Sequence, residues 1–151
     1  MAEVIVKQAT TDSDIEGLHA LRMEVFVKEQ GVSKSLEVDS LDALAYHTIA
    51  VVENDIVGTG RLLVLPNRNA VIGRMAVRAD VRRIGIGKNL LEYLESAAAK
   101  MGVTTVIVHA QTYVMQFYLQ NGYSTKGEPF EEAGIEHILM HKSLSESPLL
   151  T

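Results

Sequence analysis

The stretch Val81-Arg82-Arg83-Ile84-Gly85-Ile86-Gly87 sets two glycines one residue apart behind two arginines, and Lys88-Asn89-Leu90-Leu91 continues it with helical character. Glycines so spaced let a backbone approach a ligand closely, and the first N–H groups of a helix cradle an anion. Two familiar phosphate loops do not fit. A Walker loop needs glycine at position 82 and Ser or Thr after Lys88, where Arg82 and Asn89 stand. A dinucleotide fingerprint needs a third glycine where Leu90 stands, and a first glycine tight against a strand end. A pyrophosphate held by successive N–H groups at the helix start is the phosphate reading that survives, beside the plainer one of a solvated helix start.

Charge is distributed in keeping with a small anion. Arg74, Arg78, Arg82, Arg83 and Lys88 meet a single acid, Asp80, in a chain whose net charge is −5. A basic patch on an acidic body suits a small phosphorylated ligand better than a long polyanion, so nucleic acid is not an expected partner. The chain has no cysteine, which excludes a thiolate nucleophile, a thiolate metal site and a disulfide framework. The five histidines show no His–carboxylate spacing suited to a metal, and no metal is expected.

These residues need elements to position them. With 151 residues, 47% of them hydrophobic, the chain is expected to form one domain over residues 1–144, with a loose tail from 145 to 151. No apolar run reaches the roughly 18 residues of a membrane span, and the amino terminus lacks a secretory signal's apolar core, so a cytoplasmic protein without membrane contact is expected. Glu3 to Ala9 reads as a strand. Ser13 and Glu16 resemble a capping box, opening a helix to about Phe26 whose buried stripe is Ile15, Leu18, Leu21, Val25 and Phe26. Gly31 to Asp42 reads as an acidic loop. Tyr46 to Glu53 and Ile56 to Leu65 form a hairpin around Asn54-Asp55, and Val71 to Val77 adds a strand. Ile86, Leu90, Leu94, Ala97, Ala98 and Met101 then recur at helical spacing, predicting a helix from Arg83 to Met101 capped by Gly102. Val103 to Ala110 is a buried strand, so 71–77, the helix and 103–110 make a βαβ crossover with parallel strands. A short helix from Tyr113 to Gln120 and a last strand from Ile135 to Lys142 complete the pattern.

Arg82-Arg83-Ile84-Gly85-Ile86-Gly87 resembles the arginine-or-glutamine, x, x, glycine, x, glycine signature of the GNAT N-acetyltransferases, which hold the pyrophosphate of acetyl-CoA there. His109-Ala110-Gln111 with Phe117-Tyr118-Leu119-Gln120-Asn121-Gly122-Tyr123 resembles the family's second motif, and Val71 to Val77 resembles the strand before the pyrophosphate turn. Val25 to Gln30, the acids Glu37, Asp39 and Asp42, and Gly134 to Met140 are similar to the ElaA/YjcF-type branch, with an ending like that of the acetyltransferases that act on glyphosate.

The resemblance implies an α+β fold with a mixed, mostly antiparallel sheet whose two parallel strands splay apart around pantetheine. It implies that backbone atoms of Met75, Ala76 and Val77 hold the pantetheine arm, the strand edge bulging near them. Arg82, Arg83, Ile84, Gly85, Ile86, Gly87 and Lys88 then bind the pyrophosphate. Tyr118 is implied as the proton or hydrogen-bond donor to the departing sulfur, and His137 as the general base, with His109 a competing candidate. Arg22, Arg74 and Gln111 are implied to face the acceptor, a small-molecule amine, and a homodimer is plausible by the same resemblance. Paired guanidiniums would favour an acceptor that also carries an anionic group, whereas Glu37, Asp39 and Asp42 would attract an ammonium. A coenzyme-A-binding sensor without catalysis is the competing function.

Overall fold

The computed structural model of the chain describes residues 3–37 and 39–144; the expected tail lies outside them. Among the described residues, seven strands form one sheet in the order β1-β2-β3-β4-β5-β7-β6. They are β1 (Val4–Gln8), β2 (Tyr46–Val52), β3 (Asp55–Val64), β4 (Asn69–Val77), β5 (Thr105–Gln111), β6 (Ser124–Glu132) and β7 (Ile135–Ser143). Every neighbouring pair is antiparallel except β4 and β5, which the crossover helix makes parallel.

The first helix, α1 (Asp12–Arg22), is capped two residues earlier than the sequence pattern suggests. Thr11 accepts from the Asp14 N–H and the Asp14 carboxylate reaches back to the Thr11 N–H, so Thr11 and Asp14 form the capping box. Beyond Arg22 the backbone loosens into a π-helical segment, Met23–Glu29, a form that is rare and concentrated at functional sites. Leu18, Leu21 and Val25 are buried as the stripe predicts, against Ile49, Ala9 and Ala76 on one face of the sheet. A helical turn α2 (Lys34–Glu37) and a 3₁₀ segment (Ser40–Leu44) occupy the expected acidic loop.

The hairpin turn between β2 and β3 is Glu53-Asn54, both at positive φ (50° and 71°), the conformation that matches strand twist. α3 (Ile86–Lys100) crosses the opposite face and buries Ile86, Leu90, Leu91, Leu94 and Ala98. Each leucine so buried contributes about 2 kcal/mol. The helix begins three residues later than predicted because Gly85, at φ 90°, interrupts the backbone, and Met101 lies outside its buried face at 47% exposure. Two glycines on β3 let α3 lie close: a Cβ at Gly60 would come within 2.7 Å of Leu94 Cδ1 and of Met75 Sδ. The predicted helix after β5 is a 3₁₀ turn (Thr112–Val114) followed by α4 (Met115–Gln120). β6 carries no apolar alternation, being exposed along nearly its whole length, and exists as a strand only because β7 pairs with it.

Candidate active site

The parallel ladder is short. β4 and β5 pair from Asn69↔Thr105 to Ile72↔Val108 and stop there. Beyond that point β4 follows β3 while β5 follows β7, so Gly73–Val77 and His109–Gln111 part into a V. The cause is visible in β4. Two residues, Arg74 and Met75, oppose the single Gly60 of β3, and Arg74 takes φ 51°, which makes a β-bulge one residue ahead of the predicted place. The bulge turns Met75 toward α3 and Arg74 toward the α1 side. Among the described residues, the inner edge of β4 thus runs past Ile72 with no partner strand.

On the α3 side, the glycine turn opens onto the V. Gly85 is the N-cap of α3, no side chain caps this end, and no acid lies in its first turn, so the first N–H groups face outward in a positive field. Ile86 is buried at 2% exposure, leaving only its backbone for a ligand, while Ile84 is exposed. The basic patch is smaller than the sequence suggests. Arg78 pairs with Asp80, and Arg82 forms a bidentate pair with Glu29 (2.6 and 2.7 Å) while its Nε donates to the Val77 carbonyl (2.8 Å). Among the described residues, Arg83 and Lys88 make no ion pair.

The same side holds Tyr118. A Cβ at Gly87 would lie 3.6 Å from Phe117 Cζ, so α4 borders the first turn of α3. Tyr118 packs edge-on against Phe117 (5.1 Å) and Tyr123 (5.5 Å). Burial pushes its phenol up to about 12, and its hydroxyl donates to no group among the described residues. Tyr123 differs: burial and a 2.6 Å hydrogen bond to Glu95, itself paired with Lys142, fix it as structure.

His137 and Gln111 lie on the α1 side. They are directly opposed across β5 and β7, which puts both side chains on one face. Gln111 donates to the Gln30 amide oxygen (3.0 Å) at the end of the π-helical segment, and Gln30 donates to the Tyr113 hydroxyl (3.3 Å). The His137 ring is buried and stacked on Phe130 (5.9 Å). Its Nδ1 lies 2.7 Å from the Ile135 carbonyl; a carbonyl only accepts, so Nδ1 carries the proton and Nε2 keeps a lone pair. His109, the competing histidine, is half-exposed beside Glu132 (3.0 Å).

The predicted acceptor arginines are placed differently from one another. Arg22 is fully buried and does not reach an open cleft: Nε bonds Glu37, Nη1 and Nη2 bond Asp42 (2.9 and 3.1 Å), and Nη2 also bonds the Glu37 carbonyl (3.0 Å). Arg61, which the sequence pattern does not single out, bonds Asp39 (2.8 Å) and Asp42 (2.9 Å). Arg74 reaches the Glu37 carbonyl (3.1 Å) and Asp39 (3.3 Å), and its side chain is 25% exposed. Three guanidiniums and three carboxylates therefore neutralise one another, and the two charge clues to the acceptor cancel. Burial alone would raise Asp42, but hydrogen bonds and charge from Arg22 and Arg61 outweigh it and hold the carboxyl down to about 2. Burial lowers Arg74, helped by its arginine neighbours. The cluster clamps Glu37, Asp39 and Asp42 to the sheet beside the V. Among the described residues no group of His, Asp or Glu gathers in a form that could hold a metal.

Residues 6–144 match the acetyltransferase (GNAT) domain family. YjcF of Bacillus subtilis strain 168, an uncharacterized N-acetyltransferase, is 33% identical over 135 residues, covering 89% of this chain and 96% of its own. An acyl-CoA N-acyltransferase from Pseudomonas aeruginosa superposes with a TM-score of 0.81 at 30% identity, over 93% of this chain and 99% of its own. Escherichia coli ElaA superposes with a TM-score of 0.81 at 26% identity, over 94% and 99% of the two chains. With its splayed parallel strands, glycine turn and closing strands, the chain belongs to the GNAT acetyltransferase family, in the ElaA- and YjcF-like branch.

Proposed function

We propose that this protein transfers the acetyl group of acetyl-CoA directly to the amine of a small molecule. The observation that carries the reading is the V beyond Ile72 and Val108, which has Tyr118 and the uncapped glycine turn on one side of the sheet and His137 and Gln111 on the other. A donor entering from the α3 side and an acceptor entering from the α1 side would meet only through that opening.

The residues present fit coenzyme A. The inner edge of β4 has unpartnered backbone to pair with an amide-bearing arm, as an added strand would. The N–H groups of Gly85, Ile86, Gly87 and Lys88, with the Arg83 and Lys88 side chains, suit a pyrophosphate. Arg82 would join them by exchanging Glu29 for phosphate. Backbone N–H at Met75 or Val77 would stabilise charge developing on the carbonyl oxygen. When bound, the thioester supplies the activated acetyl group.

An alkyl ammonium, with a pKa of about 10, must lose a proton before it attacks. Nε2 of His137 is the lone pair in position to take it. Tyr118 stays protonated at neutral pH because burial holds it at about 12. That lies above the ordinary thiol range, so Tyr118 stabilises the departing sulfur by donating a hydrogen bond more readily than by surrendering its proton. Arg74 and Gln111 border the acceptor side, and Arg22 acts there only through the clamp.

The test is to incubate protein and acetyl-CoA with a panel of amino acids, aminophosphonates, polyamines and peptides and to follow thiol release. Amine-dependent release, reduced about 100-fold by Tyr118→Phe, is expected. Tight coenzyme binding with no release across the panel would favour the sensor reading instead.

A further inference from the structure

Each turnover of such a reaction releases a proton to solvent. An ammonium gives up two protons on becoming an N-acetyl amide. The C–N bond forms, the C–S bond breaks with its electron pair leaving on sulfur, and one of the two protons ends on that thiol. The other leaves through the base. His137 is poorly placed to lose it directly, since its side chain is 8% exposed, stacked on Phe130, and closed at Nδ1 by the Ile135 carbonyl.

We propose that Glu132 carries this proton from His137 to water, and that His109 is the positioning residue that aims Glu132. The proposal rests on the reading of His137 as the base. Glu132 Oε2 lies 3.9 Å from His137 Nε2, and the glutamate side chain is 46% exposed, so it meets both the buried base and bulk water. Its other oxygen, Oε1, lies 3.0 Å from His109 Nδ1 and accepts a hydrogen bond from it. Phe130 stands between the two histidines, edge-on to His109 (5.6 Å) and stacked on His137 (5.9 Å). This fixes the separation that Glu132 spans.

A protonated His137 draws the carboxylate in, and a shift of about 1 Å brings 3.9 Å into hydrogen-bond range. The proton then passes from Nε2 to Oε2 and on to water, restoring neutral imidazole and carboxylate. Among the described residues no other carboxylate lies within 4 Å of the His137 ring nitrogens. Glu136 lies on the opposite face of β7 and accepts from Thr112 (2.9 Å); Gln111 faces His137 from β5, and His141 lies four pairs further along, opposite Ile107. The sequence holds no sign of this arrangement, because Glu132 sits on β6, the strand without an apolar pattern.

The experiment compares the wild type, Glu132→Gln, Glu132→Asp, His109→Ala and His137→Ala with the best amine of the panel, in dilute buffer and again with a small buffer added. Glu132→Gln is expected to lose about 10-fold in kcat in dilute buffer, with KM for acetyl-CoA unchanged, and to regain most of it as the added buffer takes over proton removal. Glu132→Asp should keep most activity, His109→Ala should show a smaller loss with the same buffer dependence, and the wild type should ignore the buffer. A Glu132→Gln rate within twofold of wild type in dilute buffer, or a loss that buffer does not relieve, overturns the relay. If His137→Ala is impaired while Glu132→Gln is not, only the relay fails; if His137→Ala is also unimpaired, the base assignment fails and takes the relay with it. A readout without any acceptor is the ¹⁵N spectrum of the histidine rings at fixed pH: Glu132→Gln should move the ring signals of both His109 and His137, and unmoved signals count against the contact.

Discussion

Replacing Asp42 with asparagine keeps the shape of the side chain and removes one of the three charges that balance Arg22, Arg61 and Arg74. The carboxylate accepts from Arg22 at 2.9 and 3.1 Å and from Arg61 at 2.9 Å, and it is 10% exposed. Its folded value of about 2 lies below the ordinary 3.8, a difference that corresponds to about 2 kcal/mol of stability at neutral pH. The asparagine also leaves the buried Arg22 with less negative charge around it, and breaking a buried pair typically costs 3–5 kcal/mol. A loss of about 2 to 4 kcal/mol, seen as a fall in Tm of about 5 to 15 °C, is therefore expected. The folded carboxyl is depressed, so its contribution is complete above about pH 4 and lost as pH falls toward 2, with about half gone by pH 3. Urea titrations of both proteins at pH 7, 5 and 3 read this directly. A difference below about 0.5 kcal/mol at pH 7, or one that is as large at pH 3 as at pH 7, would refute the charge-clamp argument.

Three further outcomes are expected. Gly85→Val should weaken coenzyme A binding at least about 10-fold by calorimetry, because a β-branched residue cannot hold φ 90° cheaply; an unchanged Kd would detach the glycine turn from the ligand. An added Cβ there meets nothing within 4 Å, so the variant should still fold. Glu29→Gln should tighten coenzyme A binding by about two- to fivefold by releasing Arg82 from an exposed pair of modest strength, and no change would leave Arg82 outside the pyrophosphate site. Gly60→Val should destabilise the fold by about 1 to 3 kcal/mol in thermal melts, since its Cβ would press on Leu94 and Met75, and a neutral result would mean that α3 can lift without penalty.

The parts legible in the sequence are those set by near neighbours in the chain. The α3 stripe repeats every three to four residues, the β2–β3 turn needs residues that tolerate positive φ, and the glycine turn declares itself within seven positions. The capping box was displaced to Thr11 and Asp14 because several residues near the start of α1 can serve and only the local backbone path selects among them. β6 escaped the pattern for another reason: an exposed edge strand buries little, so its residues carry no alternation and its pairing partner makes it a strand.

Function divides along the same line. The turn from Arg82 to Lys88 and the residues around Tyr118 mark an acyl-transferring fold, since backbone conformation and a short motif are local properties. Which face of the sheet each group occupies, the withdrawal of Arg22 into a neutral cluster with partners 15 and 20 residues away, and the meeting of His109, Glu132 and His137 are not. Those depend on strand register and on one bulge at Arg74 and Met75, where a shift of a single residue sends every following side chain to the other face. The sequence alone determined the kind of turn that can hold the donor; only the tertiary structure decided which charges stay open to an acceptor, because ion pairs form between residues that folding alone brings together.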